Sequence, residues 1–217
     1  AIYVRFPVIK GSNNTLEGSS IVIWTTTPWT IPGNRAIAFG PDIVYGVYEV
    51  EAIKPESLMV QGERVVVAEV LAPPFAERAG IEKWRLISKI LGEDLSGTLT
   101  RHPLFEAGYP IEAPLYGGGF VSTDQGTGFV HIAPGHGADD FELGRQHGLE
   151  VPETVSDSGS FLPGIPLFAG AHVYKVNPDV VLRLEESGKL VATESYVHSY
   201  PHSWRSKKPI IFRNTPQ

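Results

Sequence analysis

The sequence contains no cysteine among its 217 residues. A chain without cysteine can form neither a disulfide framework nor a thiolate metal site. It also lacks any apolar run near the roughly 20 residues that a membrane-spanning helix needs. Hydrophobic residues make up 42% of the sequence, which is enough for a proper core, so we expect a globular protein. The lack of cysteine and of a membrane-spanning run makes a cytoplasmic location the expectation.

Positive charge is scarce as well. The sequence has 18 Lys and Arg against 24 Asp and Glu, a formal net charge of −6. An excess of negative charge opposes non-specific binding to nucleic-acid phosphates, although local basic patches can still contact a few of them. We therefore expect any nucleic-acid contact to be small.

Short strands separated by turn residues dominate the pattern. The chain has 23 Gly and 18 Pro, which punctuate apolar and β-branched runs. This spacing favours a mainly β protein, a closed β-barrel or sandwich with a few peripheral helices, over a parallel α/β sheet. Internal strands are expected at about residues 20–25, 36–40, 44–51, 64–67, 84–91, 119–122, 128–132, 171–174 and 190–199.

Three segments carry the end signals of helices. Residues 177–188 offer a candidate N-cap asparagine, a proline in the first turn and a glycine just past the end. A second helix is predicted over 139–147, before another glycine. A third is predicted over 69–79, where two consecutive prolines must kink or split it.

Both ends of the chain have the pattern of strands, at residues 1–8 and 209–213. Such ends are typical of a domain inserted into a larger protein on a two-strand stalk. We therefore expect a single domain over 1–217, with stalk strands in 1–18 and 200–217 that lead back to a parent protein.

The most informative stretch joins a buried strand to a stiff loop. An apolar run over 21–24 is followed by Thr25, Thr26 and Thr27, so three hydroxyls are delivered at the end of a strand. A threonine run alone is explained by β propensity. Two prolines within the next five residues fix φ and remove backbone donors, which predicts a defined loop suited to a binding site.

A second informative stretch spans residues 126–141. A glycine-framed turn leads into a short strand with His131, and a Pro-Gly bend then leads into a helix whose first turn holds Asp139 and Asp140. A core histidine and ordinary helix-start carboxylates would explain these residues without any function. The crowding of glycine favours a ligand site, because glycine lets a ligand approach the backbone closely.

Two histidines and two aspartates within ten residues raise a metal-dependent hydrolase as an alternative. His131, His136, Asp139 and Asp140 would suit zinc or a pair of metal ions. Their spacing matches no strong ligand motif. Adjacent residues of a helix point about 100° apart, so at most one of the two aspartates can share a pocket with His131.

Together the two stretches resemble the editing domain of class I aminoacyl-tRNA synthetases. The resemblance rests on Trp-Thr-Thr-Thr-Pro-Trp-Thr at 24–30 and on Gly-Thr-Gly-x-Val-His-x-Ala-Pro-Gly-His-Gly-x-Asp-Asp at 126–140. The second motif, with Ser-Tyr-Pro-His-x-Trp-Arg at 199–205, is most similar to the isoleucyl enzymes, and the likeness covers essentially the whole chain. Ser203 and Ser206 stand where some relatives have cysteine, so those residues cannot hold zinc here.

The resemblance implies hydrolysis of the ester that joins valine to the 3′ end of the tRNA for isoleucine, with valyl-adenylate as a second candidate substrate. A synthetic site that accepts isoleucine cannot strongly reject a side chain one methylene smaller, so a second site must admit valine and exclude isoleucine. No cofactor or metal is implied. The partners implied are the aminoacyl end of tRNA and the rest of the parent synthetase, with the domain itself monomeric.

The resemblance also implies residue roles. Asp140 would bind the α-ammonium of the substrate, and His131 would form the wall that excludes isoleucine. The three threonines 25–27 would line the pocket and place the ester and ribose. Other substrate-binding positions of the motifs are Trp29, Thr30, Asn34 and Gly128, and basic residues that could contact the tRNA end are Arg101, Lys207 and Lys208.

A competing hypothesis is a non-catalytic tRNA-binding or spacer module. The three threonines together with Asp140 favour chemistry, whereas the negative net charge opposes tRNA affinity in isolation.

Overall fold

The computed structural model describes residues 1–197 and 199–215. Within these residues ten strands form one mixed sheet, and three short α-helices pack around it. The strands are β1 (Ile2–Lys10), β2 (Ser19–Thr25), β3 (Ala36–Phe39), β4 (Val44–Ile53), β5 (Arg64–Ala68), β6 (Ile81–Leu91), β7 (Leu99–Arg101), β8 (Glu112–Gly117), β9 (Phe129–Ile132) and β10 (Leu190–Thr193). The helices are α1 (Ala72–Ala79), α2 (Ala138–Gln146) and α3 (Asn177–Glu186).

The sheet runs in the order β6-β4-β5-β2-β1-β7-β8-β3-β9, and β10 also pairs with β1. The β2–β5 and β3–β8 pairs are parallel, and the other pairs are antiparallel. The expected mainly β fold with few helices is confirmed. The sheet is not closed, because no strand pairing in the described residues joins β6 to β9.

The strands bury alternate residues on two faces. On β2, Ile21 and Ile23 enter the main core, whereas Val22 packs on the opposite face with Phe75 of α1. Successive side chains of a strand point to opposite faces, so one run of β-branched residues can serve both clusters. This double burial explains why the strand before the three threonines is apolar at every position from 21 to 23.

Small side chains bring α2 close to the sheet. Ala36 and Ala38 of β3 are fully buried against Leu143 of α2, together with Ile132 of β9. An alanine leaves room for a helix to approach the strand, as larger side chains do not. The start of α2 is thereby held beside the end of β9.

Several predicted strands differ from those observed. No strand forms at 119–122, because β8 ends at the first of three consecutive glycines, at residue 117. No strand forms at 171–174 or 209–213 either, where the structure has only the isolated bridges Ser160–His172 and His202–Pro209. The predicted strand over 190–199 ends at Thr193 as β10. β7 and β8 were not predicted, since β7 is only three residues long and Pro114 interrupts the strand pattern of β8.

The three helices lie where their end signals predict. The prolines of the 69–79 segment split it into a 3-10 turn over Glu69–Leu71 and helix α1, whose first turn holds them. The N-cap of α3 is Val176, not Asn177, whose Oδ1 instead accepts the Trp29 N–H at 3.0 Å. In the described part of the chain, no helix is long and apolar enough to cross a membrane.

Candidate active site

A cavity of about 350 Å³ lies where β2 ends. Its walls come from the turn after β2, the end of β9, the start of α2 and parts of the segment 199–212. The predicted residues that line it are Thr25, Thr26, Thr27, Trp29, Thr30, His131 and Asp140. The fold therefore brings together side chains from both informative stretches of the sequence, including Thr30 and His131, which are 101 positions apart.

Two prolines and a set of local hydrogen bonds make the turn after the threonines rigid. A buried 3-10 helix spans Pro28–Gly33 and contains both prolines. The Thr27 N–H donates to Thr25 Oγ1 at 3.0 Å, and the Thr30 N–H donates to the Thr27 carbonyl at 3.1 Å. Thr26 and Thr27 hold their hydroxyl oxygens 3.3 Å apart at the cavity wall. The stiff loop predicted from the prolines is confirmed.

His131 is fixed at both ring nitrogens. Its Nδ1 lies 3.0 Å from Asn34 Nδ2 and its Nε2 lies 2.9 Å from Thr30 Oγ1. Asn34 Nδ2 also donates to the Ala36 carbonyl at 2.9 Å, which sets the amide with its NH₂ toward the ring. Nδ1 is therefore an acceptor, and Nε2–H donates to Thr30, whose hydroxyl donates to the Thr27 carbonyl at 2.8 Å.

The histidine of this network is neutral. Burial lowers the pKa of His131 most, and together with the neighbouring His102 and His136, which disfavour a second positive charge, it brings the pKa to about 3. Its side chain is only 7% exposed, yet it lines the cavity. With both nitrogens occupied, His131 is suited to be a rigid wall and poorly suited to proton transfer.

Asp140 presents a carboxylate at the start of α2. Its Oδ2 accepts the Ala133 N–H at 2.7 Å, while a Cβ on Gly137 would lie only 2.7 Å from its Oδ1. Burial raises the pKa of Asp140 to about 6, against the lowering effect of the Ala133 bond. Asp139 is exposed and does not line the cavity, as the 100° rotation between adjacent helical residues requires.

The electrostatics of Asp140 favour a cationic ligand. Among the described residues, no ion pair includes its carboxylate. A partly buried carboxylate without a counter-charge is destabilised when ionised, which is the origin of the raised pKa. An ammonium group placed in the cavity would supply the missing charge and form a charge-assisted hydrogen bond.

His136 also lines the cavity, although it was considered only as a metal ligand and not as part of the substrate site. Its Nδ1–H donates to the Phe212 carbonyl at 3.0 Å, and its Nε2 accepts from Thr154 Oγ1 at 2.7 Å. The ring meets Trp29 edge-on with centroids 4.9 Å apart. Its place between His131 and Asp140 in one motif is a signal that could have identified it.

Two predicted residues do not line the cavity. Asn34 is completely buried behind His131 and reaches the site only through the ring. Gly128 has φ +79° and borders a separate cavity of about 260 Å³ with Thr25 and Thr26. A Cβ at Gly128 would lie 2.5 Å from the Ala68 side chain, so glycine is needed there for close packing.

The three basic residues proposed for RNA contact lie outside this cavity. Arg101 places its guanidinium 4.5 Å from the centre of the Phe105 ring and borders another cavity of about 390 Å³. Lys207 and Lys208 are exposed and do not line the site.

The geometry gives no support to the metal-dependent alternative. Over residues 1–197 and 199–215, no three His, Asp or Glu side chains are placed to hold one metal ion. The ring nitrogens of His131 and His136 are all engaged in hydrogen bonds. Only one of the two aspartates reaches the cavity.

Comparison with known sequences gives matches along the whole chain, although no protein-family model matches it. The chain is 47% identical to an isoleucine--tRNA ligase of Gluconobacter oxydans, 43% to one of Caulobacter vibrioides and 48% to one of Vibrio cholerae. Each match covers 100% of this chain but only 22–24% of the relative. The chain thus corresponds to about a quarter of the length of these ligases.

Comparison with solved structures identifies the fold. The editing domain of the cytosolic leucyl-tRNA synthetase of P. knowlesi is similar, with a TM-score of 0.66 and 12% identity over 89% of this chain and 97% of that domain. The CP1 domain GlLeuRS-CP1 gives a TM-score of 0.63 and 17% identity, over 89% of this chain and 100% of that one. At such low identity the likeness establishes a shared fold and nothing finer.

Proposed function

Because the chain is homologous to a segment of the isoleucine--tRNA ligases and has the fold of synthetase editing domains, we propose that it is the proofreading domain of an isoleucine--tRNA ligase. In this role it hydrolyses the ester between valine and the 3′-terminal adenosine of the tRNA for isoleucine. The observation that supports this most is the cavity, in which threonine hydroxyls, a carboxylate without a cationic partner and a neutral imidazole converge.

Asp140 binds the α-ammonium of the aminoacyl group in this proposal. An ammonium beside the carboxylate offsets the desolvation that raises the pKa of Asp140 in the free protein. Backbone N–H groups, that of Ala133 among them, hold the carboxylate in place, and the substrate ammonium supplies the counter-charge. The amino acid is thereby held by its charged end and not by its side chain.

The threonines place the ester. Thr26 and Thr27 present neighbouring hydroxyls, and the Thr30 hydroxyl is held between Thr27 and His131. An aminoacyl ester is already activated by its own ammonium and by the vicinal ribose hydroxyl. Orienting a water molecule and the ester carbonyl can therefore supply most of the rate without a strong general base.

His131 excludes isoleucine by volume. Its ring cannot move aside without breaking the hydrogen bonds to Asn34 and Thr30. Overlap with a packed wall is costly, whereas an unfilled space costs only lost contacts. A rigid wall can therefore admit valine and reject a side chain one methylene larger.

The proposal also names the partners of the domain and a second substrate. The substrate end of the tRNA is the partner, and the rest of the synthetase is joined to this domain in cis through its two ends, residues 1–18 and 200–217. Gly128 shapes the strand entering the site, and Arg101, Lys207 and Lys208 supply charge for the RNA backbone. Valyl-adenylate is a second substrate of the same cavity.

The test is deacylation by the 217-residue chain. Valyl-tRNA and isoleucyl-tRNA, each made on the tRNA for isoleucine, are incubated with the chain, and release of labelled amino acid is followed. The proposal predicts hydrolysis of the valyl ester well above the spontaneous rate and little effect on the isoleucyl ester. Saturable binding of tRNA without hydrolysis of either ester would instead support the spacer module.

A further inference from the structure

A second buried histidine lies behind the threonine turn and outside the cavity. His102 directly follows β7 and is 0% exposed. Its Nδ1 accepts the Leu104 N–H at 3.1 Å, so its proton is on Nε2, which donates to the Ile31 carbonyl at 2.9 Å. The ring stacks on Tyr109 with centroids 5.0 Å apart.

The Ile31 carbonyl ties the 3-10 helix Pro28–Gly33 to the segment after β7. It accepts two hydrogen bonds, from the Asn34 N–H at 3.0 Å and from His102 Nε2. The side chain of Asn34 in turn holds His131 Nδ1 at 3.0 Å. A chain of three hydrogen bonds thus connects His102 to the ring of His131, the proposed wall that excludes isoleucine.

We propose that His102 is a positioning residue that sets the size limit of the cavity through Ile31, Asn34 and His131. The inference rests on the proposed function, since the size limit is that of an editing site. His102 is absent from the cavity wall and contacts no substrate in this scheme. His102 holds the Ile31 carbonyl of the 3-10 helix in place, so that the Asn34 amide and the His131 ring keep one arrangement.

A merely structural role makes a different prediction from a positioning role. A core histidine that only fills space contributes to stability, and its loss lowers the hydrolysis of both esters in proportion. A positioning residue alters the ratio between the esters, because a loosened His131 no longer excludes the extra methylene.

Two variants separate the two nitrogens of His102. In His102→Asn, the amide oxygen replaces Nδ1 and keeps the Leu104 bond, but no donor reaches Ile31. In His102→Gln, the amide nitrogen is as many bonds from Cβ as Nε2 and can keep the Ile31 bond. Both variants lose the ring and its stacking on Tyr109, and Gln keeps one methylene that Asn lacks. Tyr109→Phe is a control that keeps the stacked ring and loses only the bond to the Pro166 carbonyl.

The measurement is the ratio of valyl-tRNA to isoleucyl-tRNA deacylation rates, with thermal stability recorded for each variant. Loss of one positioning hydrogen bond should lower the ratio about tenfold in His102→Asn. The ratio should stay within about threefold of the wild-type value in His102→Gln and should not change in Tyr109→Phe. Equal ratios in folded Asn and Gln variants would overturn the proposal, and so would unfolding of both.

An activity-independent readout distinguishes failure of this inference from failure of the proposed function. The ¹⁵N resonances of the His131 ring report its tautomer and its bond to Asn34. They should shift or broaden in His102→Asn and stay close to wild type in His102→Gln. A wild-type chain that hydrolyses neither ester would refute the editing function, whereas unshifted His131 resonances in His102→Asn would refute the positioning role alone.

Discussion

The wall of the cavity built from the threonine turn and His131 differs from the wall built from the start of α2. In the first wall both ring nitrogens of a buried, neutral histidine are hydrogen-bonded, and two prolines stiffen the turn. In the second wall a partly buried carboxylate accepts backbone N–H bonds without a charged partner among the described residues, and burial raises its pKa to about 6. The polar groups of His131 in the first wall are therefore satisfied within the protein, whereas the carboxylate of the second wall lacks a counter-charge in the part of the chain that the structure describes.

This difference assigns separate tasks to the two walls. A rigid, fully bonded surface discriminates by shape, since it cannot relax around a larger group. A carboxylate without a counter-charge binds by attraction, since a ligand cation removes its desolvation cost. Variants of the wall with His131 should therefore lose the preference for the valyl ester, whereas variants of the wall with Asp140 should lose the rate of deacylation.

The largest expected effect is that of Asp140→Asn. The change keeps an acceptor for the Ala133 N–H but removes the negative charge, and loss of one partner from a partly desolvated pair costs about 2–5 kcal/mol. We expect valyl-tRNA deacylation to fall at least about 30-fold, with thermal stability maintained. Asp139→Asn is the matched control, because Asp139 is adjacent, acidic and exposed outside the cavity. Equal losses in the two variants would mean that general charge, not the pocket, is responsible.

The next effect is a change of substrate in His131→Ala. Removing the ring should open room for one more methylene, whose burial is favourable by about 0.8 kcal/mol, so the isoleucyl ester becomes a substrate. Valyl-tRNA should still be hydrolysed, because Asp140 and the threonines remain. The check is the ratio of the two deacylation rates, which should fall at least about tenfold.

A folded His131→Ala chain that keeps its preference for valine would move the size limit elsewhere on the wall, to Thr27 or Trp29. A parallel loss of stability and of both activities, with the ratio unchanged, would identify His131 as an ordinary core histidine.

The buried histidines should also make stability depend on pH. Burial lowers the pKa of His131 to about 3 and of His102 to about 4, so stability is present above pH 6.5 and is lost as the pH falls toward 4. Asp140 acts with the opposite sign, because its raised pKa costs stability as the pH rises from about 4 through 6. At pH 5 the two histidines together outweigh Asp140 by about one proton, roughly 1.4 kcal/mol per pH unit.

Denaturant unfolding between pH 7 and pH 5 measures this slope. His131→Gln should reduce it by about one proton, or about 1.4 kcal/mol per pH unit. Equal slopes in the wild-type and His131→Gln chains would show that His131 is not held neutral by the fold.

The smallest expected effect is that of chelators, which should leave deacylation unchanged. Both histidines of the cavity use their ring nitrogens in hydrogen bonds to protein groups. Activity is measured after dialysis against EDTA and after addition of zinc or magnesium. Loss of hydrolysis on chelation with recovery on metal addition would restore the metal-dependent reading.

Sequence patterns predicted the parts of the molecule that depend on local chemistry. The strand before the threonines, the stiff turn and the helix with Asp140 follow from β-branched runs, prolines and helix-start carboxylates. β7 was missed because it is only three residues long, and β8 because Pro114 interrupts its pattern; such strands depend on their neighbours for pairing.

The contacts of Asn34 with His131 and of His102 with Ile31 could not be inferred from local patterns. Each contact joins residues that are distant in the chain, such as the bond of His102 to Ile31, 71 positions away. Asn177 shows the same limit, since its amide caps Trp29 of the turn instead of its own helix. Long-range hydrogen bonds of this kind follow from the fold as a whole.

The separate roles of the two walls, binding by Asp140 and exclusion by His131, are tested most directly by single-turnover deacylation of valyl- and isoleucyl-tRNA. The four chains compared are wild type, Asp140→Asn, His131→Ala and the double variant. We expect Asp140→Asn to lower both rates by the same factor in the His131→Ala background, and His131→Ala to change the ratio equally with or without Asp140. A shift of the ratio by Asp140→Asn as large as that caused by His131→Ala would contradict separate roles for the two walls.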